Sequence, residues 1–178
     1  MSVSDGRRMS LTELNALPGD ELVRRLGSVF EHSPWVAEGA GAARPFADFD
    51  AAHAAMMSVV LARSVDDQIA FLRAHPRLAS RSRREAALAV ESQAEQKAAG
   101  LDGVEEEKGE LLDLLNRQYE ERFGFPFIIA ARENTIDSII EALRRRMTAS
   151  RDEEIAEALR QIATITRWRL GDLLETER

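Results

Sequence analysis

The 178 residues include no cysteine and only three histidines. The first absence excludes disulfides, thiolate-bound zinc, iron–sulfur clusters and thiol nucleophiles. The histidines, at 32, 53 and 75, leave little room for a His-rich metal site. Basic charge is in deficit: 24 Lys and Arg stand against 31 Asp and Glu, a formal net charge of −7, which argues against generic nucleic-acid binding. Long apolar runs are missing as well. The longest, Phe125 to Ala131, falls far short of the ~18–20 residues a membrane span needs. The opening MSVSDGRRMS has charge with no apolar stretch behind it, unlike a secretory signal, and the closing ETER is not a peroxisomal address. The expected compartment is the cytoplasm. No GxGxxG, GxxxxGKS, GxSxG or HExxH occurs either.

What is present favours helix. Ala, Leu, Glu and Arg dominate, while Thr, Tyr and Val are few. With 44% hydrophobic and 31% charged residues the chain reads as one globular domain, long enough for a sizeable core. Asp20 is read as the cap of a helix over 20–31, and Ser33-Pro34 opens a second to about 42. A third covers about 48–63, and Ser64 caps a fourth to Arg73, which His75-Pro76 stops. A helical stretch then runs to Gly100, and others are expected over 107–122, 135–147 and 151–174. Phe123 to Ala131 is strand-like in composition, but Gly124 and Pro126 argue for a buried irregular segment. The expected architecture is all-α: one compact domain of about eight helices over 11–174, a flexible start at 1–10 and a short tail at 175–178.

Three segments could carry chemistry. His75, fixed against Pro76 at a helix end, is stiffly held and titrates in the range that suits proton transfer, although a histidine there could simply meet the helix dipole. Ser92 and Glu95 stand at capping-box spacing, with Gln96 beside them; they could cap a helix, face a ligand, or do both. The run Arg122-Phe-Gly-Phe-Pro-Phe-Ile-Ile-Ala-Ala-Arg132 buries backbone amides with no ladder partner, which either neighbouring helices or a flat amide-rich ligand would satisfy. His32 and His53 are read as surface or helix-lining, Trp35 and Trp168 as core or interface anchors. Arg81, Arg83 and Arg84, and the cluster Arg144 to Arg146, are read as solvated faces.

Taken in order, these segments resemble one family, the 2-oxo-4-hydroxy-4-carboxy-5-ureidoimidazoline (OHCU) decarboxylases of purine catabolism. The resemblance spans about 11–174. It rests on LGSVFEHSPWVAE from Leu26 to Glu38, Arg44-Pro45-Phe46, QIAFLRAHP from Gln68 to Pro76, and Leu78-Ala79. It continues in Glu91-Ser92 with Glu95-Gln96, AGLD from Ala99 to Asp102, Asn116, Tyr119, RFGFPFIIA from Arg122 to Ala130, Glu154-Ile155, Ile162-Ala163 and Arg169-Leu170. The departures are Arg77, Ser80, Ala89, Glu133 and Ile136.

The resemblance implies an all-α, usually dimeric enzyme that needs no cofactor and no metal. Such an enzyme follows urate oxidase and 5-hydroxyisourate hydrolase and converts OHCU to (S)-allantoin with loss of CO2. The family's catalytic residues fall on His75, Glu95 and Arg169. Its ligand contacts fall on Pro76, Ser92, Gln96 and the backbone of Phe127, Ile128, Ile129, Ala130 and Ala131. The alternative is a helical ligand-binding or interaction module that keeps this fold without turnover.

Overall fold

In a computed structural model, residues 8–78 and 106–175 are described. Among them lie eight α-helices and no strand: α1 Leu11–Ala16, α2 Gly19–Leu26, α3 Pro34–Ala40, α4 Phe49–Leu61, α5 Val65–Arg73, α6 Glu106–Phe123, α7 Ile136–Arg146 and α8 Arg151–Leu173. The all-α expectation therefore holds. The chain divides into two compact units, Met1–Ser64 with Ile165–Arg178, and Val65–Thr164.

In the first unit, α1 is an element the sequence reading lacked. Ser10 and Glu13 form a capping box, with Ser10 N–H donating to Glu13 Oε2 at 2.7 Å and Glu13 N–H to Ser10 Oγ at 3.2 Å. That box precedes a helix of only six residues, too short for a clear apolar period. The expected helix over 20–31 starts instead at Gly19 and stops at Leu26; Asp20 sits in its first turn rather than at the cap. The following turn ends at His32, an exposed residue with φ 58°. Pro34 then opens α3 as expected. α2 packs on α3 and α3 on α4. A Cβ on Gly39 would lie 2.9 Å from Val59 Cγ1, so the α3–α4 approach requires glycine there. Leu14, Leu22, Leu26, Val36, Met56 and Val60 fill this core. His53 is buried on α4, with Nε2 3.0 Å from Thr166 Oγ1. Met9 is paired with the end of α8 by Met9 N–H to Leu173 O and Glu175 N–H to Met9 O, both 2.9 Å.

In the second unit, α5 ends at Arg73 as His75-Pro76 predicts, and α6 packs on α7. Thr135 caps α7 reciprocally with Ser138. The segment 125–130 is buried and irregular, as Gly124 and Pro126 foretell. Its Phe125 and Phe127 meet Tyr119 edge-on, at ring-centroid distances of 6.0 and 5.2 Å.

The reading of Arg144 to Arg146 as a solvated face needs one correction. Arg144 and Arg145 are exposed, but Arg146 is only 6% exposed and carries the polar centre of this unit. Arg146 Nε donates to Glu154 Oε1 at 2.7 Å, and Nη2 and Tyr119 OH donate to the same oxygen. Nη1 donates to Ile128 O at 2.7 Å, and the guanidinium lies 4.5 Å from the Phe127 ring centroid. Glu154 is 1% exposed and Tyr119 fully buried. Such a pair adds little against an apolar replacement of both partners, but breaking it leaves a buried charge. Arg146→Ala is therefore expected to lower the unfolding free energy by about 3–5 kcal/mol in urea denaturation.

Burial, reinforced by the hydrogen bond to Glu154 and by that carboxylate's charge, pushes the Tyr119 phenol well above its ordinary value; Arg146 acts in the opposite sense. The folded chain thus keeps a proton that the unfolded chain releases above pH ~10, so this group's contribution to stability falls as pH rises past that point. Tyr119 is the chain's one tyrosine. The native protein is expected to show no tyrosinate absorbance at 295 nm as pH is raised through 10, and to gain it only on unfolding; a normal phenol titration in the folded state would contradict this.

Candidate active site

The site begins where α5 stops. Pro76 bars the α region to the residue before it, so the chain leaves the helix in a turn, with Ala74 N–H to Phe71 O at 3.2 Å and His75 N–H to Leu72 O at 3.1 Å. This turn is tied to α6 and its end at three points. Arg73 Nε donates to Gly124 O at 2.7 Å, Arg77 pairs with Glu120, and Asn116 Nδ2 donates to Leu78 O at 2.8 Å. His75 and Pro76, both half-buried, are therefore held between fixed neighbours in the same unit as the 125–131 segment.

That segment starts from a helix stop. Gly124 has φ +80°, a conformation glycine adopts without strain, and its N–H closes the last turn of α6 on Glu120 O at 2.8 Å. Beyond it the backbone is held by side chains rather than by a ladder. Arg146 takes Ile128 O at 2.7 Å, and Gln161 Oε1 accepts from Ala130 N–H at 2.8 Å. Asn134 Nδ2 donates to Ala130 O at 3.0 Å, and Glu133 N–H reaches the same oxygen at 3.1 Å. Gln161 is itself held by Nε2 donating to Glu157 Oε1 at 2.7 Å. Hydrogen bonding to Arg160 holds the Glu157 carboxyl below its ordinary range. Among the described residues, no hydrogen bond reaches the N–H or C=O of Ile129.

A polar cavity of about 280 Å³ opens between α7 and α8, lined by Asn134, Ser138, Arg145, Arg160 and Gln161 among others. Of the sequence-predicted site residues that are described, only Ile129 lines it. Among the described residues, no group of three or more His, Asp or Glu could hold a metal ion.

Arg169 belongs to the other unit. It is 3% exposed, and its Nη1 lies 3.3 Å from Glu31 Oε2 and 3.5 Å from Val29 O. Ser92, Glu95 and Gln96 fall outside the described residues, as does the expected helical stretch to Gly100. Among the described site residues, His75, Pro76 and Phe127 to Ala131 thus share one unit, and Arg169 sits in the other beside a buried carboxylate.

Residues 15–171 match the family model described as OHCU decarboxylase. The chain belongs to the OHCU decarboxylase family. A 2-oxo-4-hydroxy-4-carboxy-5-ureidoimidazoline decarboxylase of Haloferax volcanii is 38% identical over 169 residues, covering 95% of this chain and 98% of the relative. The uric acid degradation bifunctional protein PucL of Bacillus subtilis is 36% identical over 165 residues; the match covers 93% of this chain but only 33% of that longer protein. Among solved structures, an (S)-allantoin synthase superposes with a TM-score of 0.71 at 27% identity, covering 94% of this chain and 54% of that one.

The sequence reading missed Arg146, Gln161 and the partnership of Glu31 with Arg169. Periodicity held a signal for the first: Ile139, Leu143 and Arg146 follow i, i+4, i+7 on the buried face of α7. Nothing comparable marks Gln161 or Glu31. Removing the cation beside the buried Glu31 carboxylate has a predictable cost. Arg169→Met is expected to lower stability by about 3–5 kcal/mol in urea denaturation, and adding Glu31→Gln to recover most of it.

Proposed function

We infer that this protein is an OHCU decarboxylase, a carbon–carbon lyase that removes CO2 from OHCU and yields (S)-allantoin in urate degradation. The observation that carries the reading is the family match over 15–171, joined to a buried 127–131 segment whose central residue, Ile129, has a backbone donor and acceptor with no partner among the described residues. The catalytic domain spans 11–174, works as a homodimer in the cytoplasm without a cofactor, and follows urate oxidase and 5-hydroxyisourate hydrolase. These last points, like the residue roles below, rest on the family resemblance.

The substrate's own structure makes the chemistry feasible. Carbon 4 carries both hydroxyl and carboxylate, next to the ring carbon that bears the ureido group. When the C–CO2 bond breaks, its electron pair passes into the adjacent ring C=N, giving an enolate-like intermediate. A proton delivered to the ureido-bearing carbon, with transfer of the hydroxyl proton to the ring nitrogen that received the electron pair, gives the ring amide carbonyl and N–H of allantoin. The face that receives the proton fixes the S configuration. The enzyme's tasks are then orientation and placement of charge.

In this scheme the backbone of 127–131 and the side chains of Ser92 and Gln96 hold the amide-like edges of the ring. Arg169 bonds a substrate oxygen, and Glu95 holds the hydroxyl or ureido N–H and repels the departing carboxylate. His75 stands on the carboxylate side as proton donor, stiffened by Pro76. The test is a coupled assay: OHCU generated from urate by urate oxidase and hydroxyisourate hydrolase, with this protein added and circular dichroism followed. The (S)-allantoin signal is expected to appear rapidly, and to slow by at least about 100-fold in His75→Ala and Glu95→Ala. Near-normal turnover in either variant would contradict that residue's role.

A further inference from the structure

We propose that Gln161 and Arg146 are positioning residues for substrate, aiming the two polar groups of the Ile129 backbone; this rests on the reading of 127–131 as the substrate-holding segment. The reasoning is geometric. A peptide unit is planar, and when trans its C=O and N–H point in opposite directions. Among the described residues the one cis bond is Arg44–Pro45, so the units around Ile129 are trans. The unit that joins 128 to 129 carries Ile128 O and the Ile129 N–H. Arg146 Nη1 holds Ile128 O at 2.7 Å, which turns the Ile129 N–H away from the guanidinium. The unit that joins 129 to 130 carries Ile129 O and the Ala130 N–H. Gln161 Oε1 holds the Ala130 N–H at 2.8 Å, which turns Ile129 O away from Gln161.

Each side chain therefore fixes one Ile129 group by occupying the opposite end of the same plane. Both side chains are braced in turn, Arg146 by Glu154 at 2.7 Å and Gln161 by Glu157 at 2.7 Å. The result is one donor and one acceptor held in set directions on a single residue, with no partner among the described residues. A ligand edge that offers both a carbonyl and an N–H, as a ureido or ring-amide group does, satisfies both. A donor and acceptor fixed in advance cost the substrate less ordering on binding.

Gln161 is the better residue to test, because it is half-buried on α8 and lies outside the Arg146–Glu154 pair. Gln161→Met removes the acceptor with little change of volume. Gln161→Glu combined with Glu157→Gln exchanges amide and carboxylate, keeping an acceptor for the Ala130 N–H, a donor–acceptor pair between the two positions and the net charge. Steady-state kinetics on freshly generated OHCU are measured beside thermal unfolding of each variant. Gln161→Met is expected to raise KM about tenfold while kcat stays within about threefold, and the exchange variant to recover most of that loss. A merely structural role would lower the folded fraction, and with it apparent kcat, at unchanged KM. Unchanged KM in Gln161→Met overturns the inference. If that variant does not fold, the exchange variant decides: folded with KM near wild type it supports the inference, and folded with a tenfold higher KM, or unfolded, it overturns it. A wild-type protein that does not accelerate OHCU loss overturns the function itself, and the inference with it.

Discussion

A guanidinium and a carboxylate buried together are the constraint on which the 65–164 unit depends. Arg146 and Glu154 are too far from water to stand alone, and neither could be charged there without the other. Further hydrogen bonds join Glu154 to Tyr119 OH and Arg146 to Ile128 O. One pair thus joins α6, α7, the start of α8 and the irregular segment that follows α6. The aromatic cluster of Tyr119, Phe123, Phe125 and Phe127 packs around this polar centre, so that apolar burial and charge pairing act on the same few residues.

The functional consequence follows from backbone chemistry. A strand inside a sheet uses its peptide groups in the ladders on both sides and has none left for a ligand. A segment held by side chains can instead be secured at chosen points and left open between them. Here Ile128 O, Ala130 N–H and Ala130 O are taken, and among the described residues the groups of Ile129 are not. Arg73, Arg77 and Asn116 fasten the His75-Pro76 turn to α6 and its end, giving the turn and the segment a common support. In the other unit, Arg169 is held by Glu31 and Val29 O on the turn that ends at His32.

Much of this was legible in the chain. Pro34, Ser64, His75-Pro76 and the periodic runs after 107, 135 and 151 mark helix limits to within a few residues, because caps and prolines act locally. Gly124 and Pro126 correctly argued against a strand, since one adopts positive φ and the other lacks an N–H. The His75-Pro76 and Phe-Gly-Phe-Pro-Phe motifs were visible as motifs. Long-range pairing was not. Whether Arg146 faces solvent or a carboxylate depends on Glu154, a residue on the next helix, and a run of three arginines reads as a charged surface until the helix phase is followed through Ile139 and Leu143. Gln161 and Glu31 are ordinary helix and turn residues in sequence; Ala130 and Arg169, which they meet, lie far away along the chain. The short α1 escaped because six residues carry a cap but hardly a period.

The most direct measurement is an ¹⁵N-resolved NMR titration of the intact protein with (S)-allantoin, followed at the assigned amides of 125–134. The expected result is a saturable shift of the Ile129 amide larger than that of Ala130, whose N–H is already engaged by Gln161. Saturable binding with Ile129 unmoved, or with its amide protected to the same degree before and after ligand, would contradict the picture of a segment secured at both sides and open in the middle.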